Sequence, residues 1–548
     1  MHLSILPHYC FALAALLSAG YALPSLAENV ESQTDHIKTA AAPSATPEVL
    51  TFDVFEFQVD GNSVFTNAAI EKTVYPFMGE QKTIEDVEQA RSALEKAYQD
   101  AGYLTVSVSI PQQEVNAGLV KLLVTEGAVE RLKVVDSQYN THTEIKARAG
   151  EFAEGKVPHF PTAQKELATL NRNQNRQVNP VLRPGQTPGK VEVDLKVQDK
   201  LPLHGNLELN DRYAPNTTKL RLNAGLRYEN LWQKDHSLGV NVQVSPEDTS
   251  EVKVFSGTYI IPRLNGDYFA AYAVVSDSNI AAVGDINVVG NGYIAGARYI
   301  HPLPLLEGYY HSLTLGADYK IFKESLTLQG ADTNINTPIS YFATSLGYDA
   351  TAQSSLGQTQ ASLVLNMAPR LLGNTSKEFD AKRDGAGANY IFIRSDVKQL
   401  YTHPSGWAVQ GKLAWQLASQ PLISTEQFTA GGLDSVRGYL ESSRLGDSGF
   451  SGSVELRTPS INKYFKEYRF AEFIKELYAF TFIDGGYVKI RNAAGLEPSY
   501  ELYSAGFGAR LKTHSGAFAY VDYAKAFNDA PEVDSGDYRL HFRVGYEW

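Results

Sequence analysis

Cysteine is almost absent from this 548-residue chain; the one thiol is Cys10. That excludes a disulfide scaffold and any cysteine-built metal or redox centre. Tryptophan (4) and methionine (3) are equally scarce. Charged residues make up 20%, below the roughly 25% of an average soluble domain. There is no excess of base: 49 Lys and Arg stand against 61 Asp and Glu, a net charge of −12. General nucleic-acid binding needs a basic surface, so it is not expected. Past Ala27 there is no run of about 18 uninterrupted apolar residues, and none is expected to cross a membrane as a helix. A mean hydropathy of −0.25 agrees. The 12 histidines are scattered, with no His-x-x-x-His or paired-carboxylate spacing. Walker-A and dinucleotide-binding patterns are missing too, so neither metal nor cofactor is expected. What is plentiful is Tyr (31), Phe (25) and Gly (43). That mixture suits a large antiparallel β structure.

The first 27 residues hold no Asp, Glu, Lys or Arg. The short apolar run Phe11–Leu17 and the small-x-small site Ser25-Leu26-Ala27 before Glu28 predict a signal peptide over 1–27. Its leading region is atypical, because only His2 and His8 could carry positive charge. Residues 28–51 are polar and read as a tether or short helix.

From Phe52 the texture becomes that of a small α/β unit. Val54–Val59 predicts a strand, closed by the turn Asp60-Gly61-Asn62, and a short helix comes next over Ala68–Tyr75. Thr83-Ile84-Glu85-Asp86 resembles a capping box. The helix it opens carries Val87, Ala90, Leu94, Ala97, Tyr98 and Ala101 at spacings of three and four, and Gly102 ends it. Strands Leu104–Ile110 and Leu119–Thr125 complete a β-α-α-β-β unit over 52–127. A second unit of the same order spans 128–200. Its strands are Arg131–Val135, Val178–Arg183 and Lys190–Val197, and its helices Thr143–Ala149 and Thr162–Leu170. Repeated units of this order in an exported chain resemble POTRA domains, as do Asp60-Gly61-Asn62, Gly102-Tyr103 and Thr125-Glu126-Gly127.

From Leu201 the period falls to two. Leu220, Leu222, Ala224, Leu226 and Tyr228 alternate with polar residues, as do Leu313, Leu315, Ala317, Tyr319 and Ile321. In the last segment Tyr538, Leu540, Phe542, Val544, Tyr546 and Trp548 oppose Arg539, His541, Arg543, Gly545 and Glu547. So many charges on one face suit a water-filled lumen, with the apolar face in lipid. A soluble sandwich would also alternate, and periodicity alone does not separate the two. About sixteen such segments fit into 201–548 at about 22 residues each, enough for a spanning strand plus its connections. The expected fold is thus a transmembrane antiparallel β-barrel of about 16 strands, preceded by two periplasmic units.

The informative stretch is Phe428-Thr-Ala-Gly-Gly-Leu-Asp-Ser-Val436-Arg437-Gly438-Tyr439, in a long non-alternating insertion placed at 417–451. Val436-Arg437-Gly438-Tyr439 resembles the loop motif of the barrel superfamily that includes BamA. Phe482-Ile-Asp484-Gly-Gly486 is similar to that superfamily's Phe-x-Asp-x-Gly strand motif. Gly446-Asp447, Val454-Glu455-Leu456-Arg457 and Ser245-Pro246-Glu247-Asp248 resemble one branch, the TpsB transporters of two-partner secretion (ShlB/FhaC/HecB type). The resemblance implies a loop folded into the lumen, with Arg437 meeting Asp484, Gly438 turning the tip and Tyr439 packing on the wall. A guanidinium offers a carboxylate a rigid fork, which suits such an anchor. Phe480, Phe482, Asp484 and Gly486 share one parity, which puts two aromatics beside that carboxylate. A terminal aromatic, Trp548, resembles the C-terminal signal of outer-membrane barrels.

The resemblance further implies an outer-membrane location and export of a large, unfolded, β-rich, TpsA-like partner without nucleotide hydrolysis. It implies contacts with outer-membrane lipid and lipopolysaccharide, and passage through the barrel assembly machinery during biogenesis. Rival readings are a BamA-like assembly factor, which usually carries more POTRA units, and a passive porin, which would need none. A plug helix, common in the family, is in doubt, because only about 24 residues separate Ala27 from Phe52 and a membrane-crossing helix would use nearly all of them. Gly446-Asp447-Ser448-Gly449 copies a serine-protease motif, but the next residues are Phe450-Ser451 rather than Gly-Pro, so no catalysis is expected.

Overall fold

The computed structural model describes residues 50–548 except 116, 264, 279, 284, 285, 290, 305, 324, 328–333, 337, 370–374, 462–468 and 493–496. The expected signal peptide, and the tether as far as residue 49, lie outside the described residues.

The first unit runs β1 (Phe52–Val54), β2 (Glu56–Asp60), α1 (Asn67–Val74), β3 (Gly79–Lys82), α2 (Ile84–Asp100), β4 (Val106–Ser109) and β5 (Leu119–Glu126). The single strand expected over Val54–Val59 is broken. The N–H groups of Phe55 and Glu56 both donate to the Gly118 carbonyl. That bend sends β1 to pair with β3, while β2 joins β5 and β4. Helix α2 starts where its cap dictates: Thr83 accepts from the Asp86 N–H and Asp86 accepts from the Thr83 N–H, an arrangement worth about 1 kcal/mol. Val87, Ala90, Leu94 and Tyr98 are its buried stripe, whereas Ala97 is half-buried and Ala101 exposed.

The second unit keeps the β-α-α-β-β order without counterparts of β1 and β3: β6 (Val129–Val135), α3 (His142–Arg148), α4 (Phe160–Leu170), β7 (Arg176–Pro184) and β8 (Val191–Asp199). The two units touch at Gly102, whose carbonyl accepts the Phe160 N–H at 2.9 Å. Gly102 has φ +91°, and a Cβ there would lie 2.6 Å from the Pro161 ring.

The remaining strands are β9 (Leu203–Asn210), β10 (Arg221–Leu231), β11 (His236–Val244), β12 (Lys253–Pro262), β13 (Tyr268–Asp277), β14 (Ile280–Val283), β15 (Ile286–Val289), β16 (Gly292–Pro302), β17 (Tyr309–Phe322), β18 (Ser325–Thr327), β19 (Asn334–Asn336), β20 (Ile339–Ser354), β21 (Gly357–Met367), β22 (Ile391–Thr402), β23 (Ala408–Ala418), β24 (Phe428–Ala430), β25 (Arg444–Gly446), β26 (Ser448–Arg457), β27 (Ile474–Lys489), β28 (Ser499–Thr513), β29 (Ala517–Ala526) and β30 (Tyr538–Glu547). Helix α5 (Ser376–Lys382) lies between β21 and β22. Sixteen of these strands close into one antiparallel barrel, with β30 pairing back onto β9; the pairs β14–β15, β18–β19 and β24–β25 stand outside it. The sixteen-stranded barrel expected from period two is therefore the fold.

Burial decides between barrel and sandwich. Ile483 is 69% exposed, while its neighbour Asp484 is 1% exposed. Leu226, Leu315, Phe507 and Val544 are likewise exposed, while Arg221, Asp318, Glu455 and Asp522 are buried. Apolar outside and charged inside is stable only where the outer solvent is lipid. No helix among the described residues is long and apolar enough to cross a membrane; the crossing is made by strands.

The second unit is tied to the barrel turn between β10 and β11. Asp235 accepts from Arg148, from both terminal nitrogens of Arg176 at 3.1 Å and from Asn173 at 3.1 Å. Asn175 donates to Glu229 at 2.6 Å, and the Thr141 N–H to Gln233 at 3.0 Å. Burial alone would raise the Asp235 carboxyl. Arg176 and Arg148 outweigh it and hold the group below the usual carboxylate range.

Candidate functional site

The insertion expected over 417–451 is shorter than that. Strand β23 runs to Ala418 and β26 begins at Ser448, because ladder pairing continues through Ala418–Phe392 and Gly449–Gln416. The loop is 419–447. It folds into the lumen, and three of its holds are built on buried charged side chains.

The first is Arg437, 3% exposed. Its Nε donates to Asp484 Oδ2 at 2.7 Å and its Nη2 to Asp484 Oδ1 at 2.8 Å, a bidentate fork. The Arg437 N–H also reaches Asp484 Oδ2, at 3.0 Å. Nη1 donates to Glu455 at 2.8 Å and to Asp522 at 3.3 Å, and Nη2 to Ser453 at 2.9 Å. All five guanidinium N–H donors are used. The plane lies 3.4 Å from the Phe482 ring centroid, a cation–π contact. Three carboxylates around one cation would leave excess negative charge. Arg457 on Glu455 and Arg510 on Asp522, each at 2.8 Å, restore the balance at three against three. Register makes this cluster: Ser453 pairs with Asp484, and Glu455 with Phe482, across β26 and β27.

Around that anchor the motif residues fit by size. Gly438 has φ +91°, a conformation that favours glycine, and a Cβ there would lie 3.3 Å from Ala524 Cβ. Val436 is fully buried, and Gly486 leaves it room, since a Cβ at 486 would sit 2.9 Å from Val436 Cγ2. Tyr439 is fully buried; its hydroxyl donates to the Tyr503 carbonyl at 2.9 Å and accepts the Asn528 N–H at 3.1 Å. His541 on β30 accepts the Gly438 N–H.

The second hold is Asp447, 0% exposed. It accepts from both terminal nitrogens of Arg383 at 2.5 and 2.8 Å, and from the N–H groups of Leu422 and Arg491. This is the work of the Gly446-Asp447-Ser448-Gly449 stretch; Ser448 Oγ accepts the Ala418 N–H at 3.1 Å. The third is Glu426, 5% exposed, which meets Lys320 at 2.6 Å and the Tyr341 hydroxyl on the opposite wall.

Trp548 lies apart from this centre. It exchanges backbone hydrogen bonds with Gly205 at 3.0 and 3.1 Å where β30 meets β9. Its ring covers Gly205, where a Cβ would fall 2.0 Å from it. Ser453, Asp522 and His541 belong to no sequence motif; their inward parity on β26, β29 and β30 was the available signal. Among the described residues no group of three His, Cys, Asp or Glu side chains is placed to hold a metal ion.

A closed sixteen-stranded barrel with lipid outside, a lumen loop held on arginine and small α/β units in front is the build of an outer-membrane β-barrel protein. Residues 52–127 match the family model for the ShlB-type POTRA domain, and residues 343–511 that of the haemolysin secretion/activation protein ShlB/FhaC/HecB. The first α/β unit and much of the barrel thus each match ShlB-type models, as expected of an outer-membrane barrel protein with its POTRA end in the periplasm. The chain is 23% identical over 247 residues to the outer membrane transporter CdiB of Escherichia coli O6:K15:H31 (strain 536 / UPEC). That match spans 42% of each chain, less than half the length of this curated relative. It is 18% identical to the heme/hemopexin transporter protein HuxB of Haemophilus influenzae (strain 86-028NP), over 84% of this chain and 80% of that one. In fold it is similar to CdiB from Escherichia coli, with TM-score 0.58, 18% identity and 93% of each chain covered. It is also similar to BamA from Haemophilus ducreyi lacking POTRA domains 1-3, with TM-score 0.54, 13% identity, 91% of this chain and 100% of that one covered.

Proposed function

We propose that this protein exports a large, unfolded, β-rich partner exoprotein across the outer membrane by the two-partner pathway, without nucleotide hydrolysis. The observation that carries this reading is asymmetry in the lumen. Arg437 fixes the loop tip against β26, β27 and β29, and apart from the Glu426 hold on Lys320 and Tyr341 a cavity of about 600 Å3 remains along β17 and β20–β23. Its lining includes Ser312, Thr351, Ser362 and Ser451 beside the charged Asp349, Asp396, Lys398 and Lys412. Small polar side chains leave room for an extended polypeptide and offer it hydrogen bonds without fixing a sequence. The exposed strand edges of the two α/β units, domains 52–127 and 128–200, would receive the cargo by β-augmentation. Folding of the cargo outside the cell gives direction to transit.

Outer-membrane lipid and lipopolysaccharide would surround the apolar face. The barrel assembly machinery would insert the chain, with Trp548 as part of its recognition signal. The assembly-factor reading shares the fold, so the test must separate substrates. Deleting 52–127 or 128–200 should abolish secretion of one partner while the barrel still inserts. Depletion of many unrelated outer-membrane proteins instead would support the assembly-factor reading.

A further inference from the structure

Lys398 on β22 and Lys412 on β23 are direct cross-strand partners, and both face the lumen. Like charges placed directly opposite destabilise a sheet, and the chain offsets this pair only at a distance, through Glu455 and Asp434. Its neighbours sharpen the point. A second cavity, about 130 Å3, is lined by Lys398, Lys412, Arg457, Arg510 and Arg543, with Asp434 and Glu455 as its acids. Arg457, Arg510 and Arg543 are each held by a carboxylate, and Asp434 is taken by Arg212. Among the described residues neither lysine forms an ion pair. Both lie toward the barrel end that faces the second unit: β22 runs four residues past Lys398 before turning into β23 at the same end as the Asp235 turn. Lys398, Lys412 and Asp434 line both cavities, so the lysines stand where the smaller one opens into the free part of the lumen.

We infer that Lys398 and Lys412 form a carboxylate-binding station at the periplasmic mouth of the lumen, which takes acidic side chains of an extended polypeptide. This rests on the export reading and names a property of the cargo: acidic residues in the segment that enters. A carboxylate between the two ammonium groups relieves their repulsion. It is held loosely enough to leave, because each lysine is a flexible point charge rather than a fork. The same chemistry could serve a small inorganic anion, so the test separates the two.

The test uses the purified full chain in detergent, fluorescein-labelled octa-glutamate and fluorescence anisotropy. Octa-glutamate should bind, octa-lysine should not, and binding should weaken with salt. K398Q/K412Q should weaken octa-glutamate by about tenfold, while K398R/K412R, which keeps both charges, should retain it. Unchanged affinity in K398Q/K412Q, or equal binding of octa-lysine, would overturn the station. Sulfate binding that depends on the two lysines, with no octa-glutamate binding, would assign the pair to small anions and overturn the polypeptide reading. A folded barrel that secretes nothing in cells would still answer in this assay, so failure of the export reading and failure of the station are told apart.

Discussion

The backbone N–H of Gly438 donates to Nε2 of His541 at 3.0 Å, which ties the tip of the lumen loop to the last barrel strand. Because that N–H must be the donor, Nε2 is unprotonated. The ring proton then sits on Nδ1, which lies 3.0 Å from Asp211 Oδ2 and donates to it. Asp211 comes directly after β9, so one imidazole links the loop to both strands of the barrel's closing seam.

His541→Phe keeps an aromatic ring there but leaves the Gly438 N–H and one Asp211 oxygen without their partner. Each buried unmet group costs about 1–3 kcal/mol. The barrel should still insert, with a lower unfolding temperature on unboiled gels. An unchanged transition would mean the link is incidental.

Arg437→Ala and Asp484→Ala each leave buried charge behind, at a cost of about 3–5 kcal/mol. Both should loosen the loop and reduce secretion, and the double variant should be no worse than either single one. Arg437→Lys should recover little, since an ammonium cannot fill five donor positions. The measurement is a double-mutant cycle on secreted partner; simply additive losses would show that the two residues act separately.

Gly486→Ala should overpack the loop anchor by about 1–3 kcal/mol, because the new methyl would meet Val436 Cγ2 at 2.9 Å. Adding Val436→Ala should restore much of the loss. Protease sensitivity of the loop in intact cells reads both, and lack of rescue would place the fault elsewhere.

The joint at Asp235 should weaken in acid. Its folded carboxyl titrates below its unfolded one, near 4. Its contribution is therefore present above that unfolded value and lost as pH falls through the depressed folded one. Hydrogen exchange around Asn140 and Asn175 should rise below pH 4 in the native chain. In Asp235→Asn it should already be raised at pH 7, with a weaker acid response. Identical pH profiles would contradict the ion-pair account.

Some of this was readable along the chain because its cause is local. Alternation at Leu313–Ile321 and Tyr538–Trp548 marks strands, since a pleat turns every second side chain the same way. Thr83 and Asp86 mark the start of a helix because both capping bonds lie within four residues. Arg437 and Asp484 could be named from short motifs, and the parity of Phe480, Phe482 and Asp484 places them on one face. Phe55 escaped, because the break there depends on a carbonyl 63 residues away, at Gly118. The loop ends were misplaced because Leu417, Ala418 and Ser448–Ser451 do not alternate clearly and are strand only through their neighbours' ladders.

The sequence by itself determined the strand faces, the two α/β units and the residues of the loop motif, all set by contacts within a few positions. Tertiary structure alone decided which face meets lipid, as Ile483 out and Asp484 in make plain. It also decided that one guanidinium would satisfy Asp484, Glu455 and Asp522, that His541 would reach Gly438, and that Lys398 would stand opposite Lys412. Those meetings depend on barrel closure and strand register. Both are fixed by hydrogen bonds between segments far apart in the chain, where local pattern carries no information about the partner.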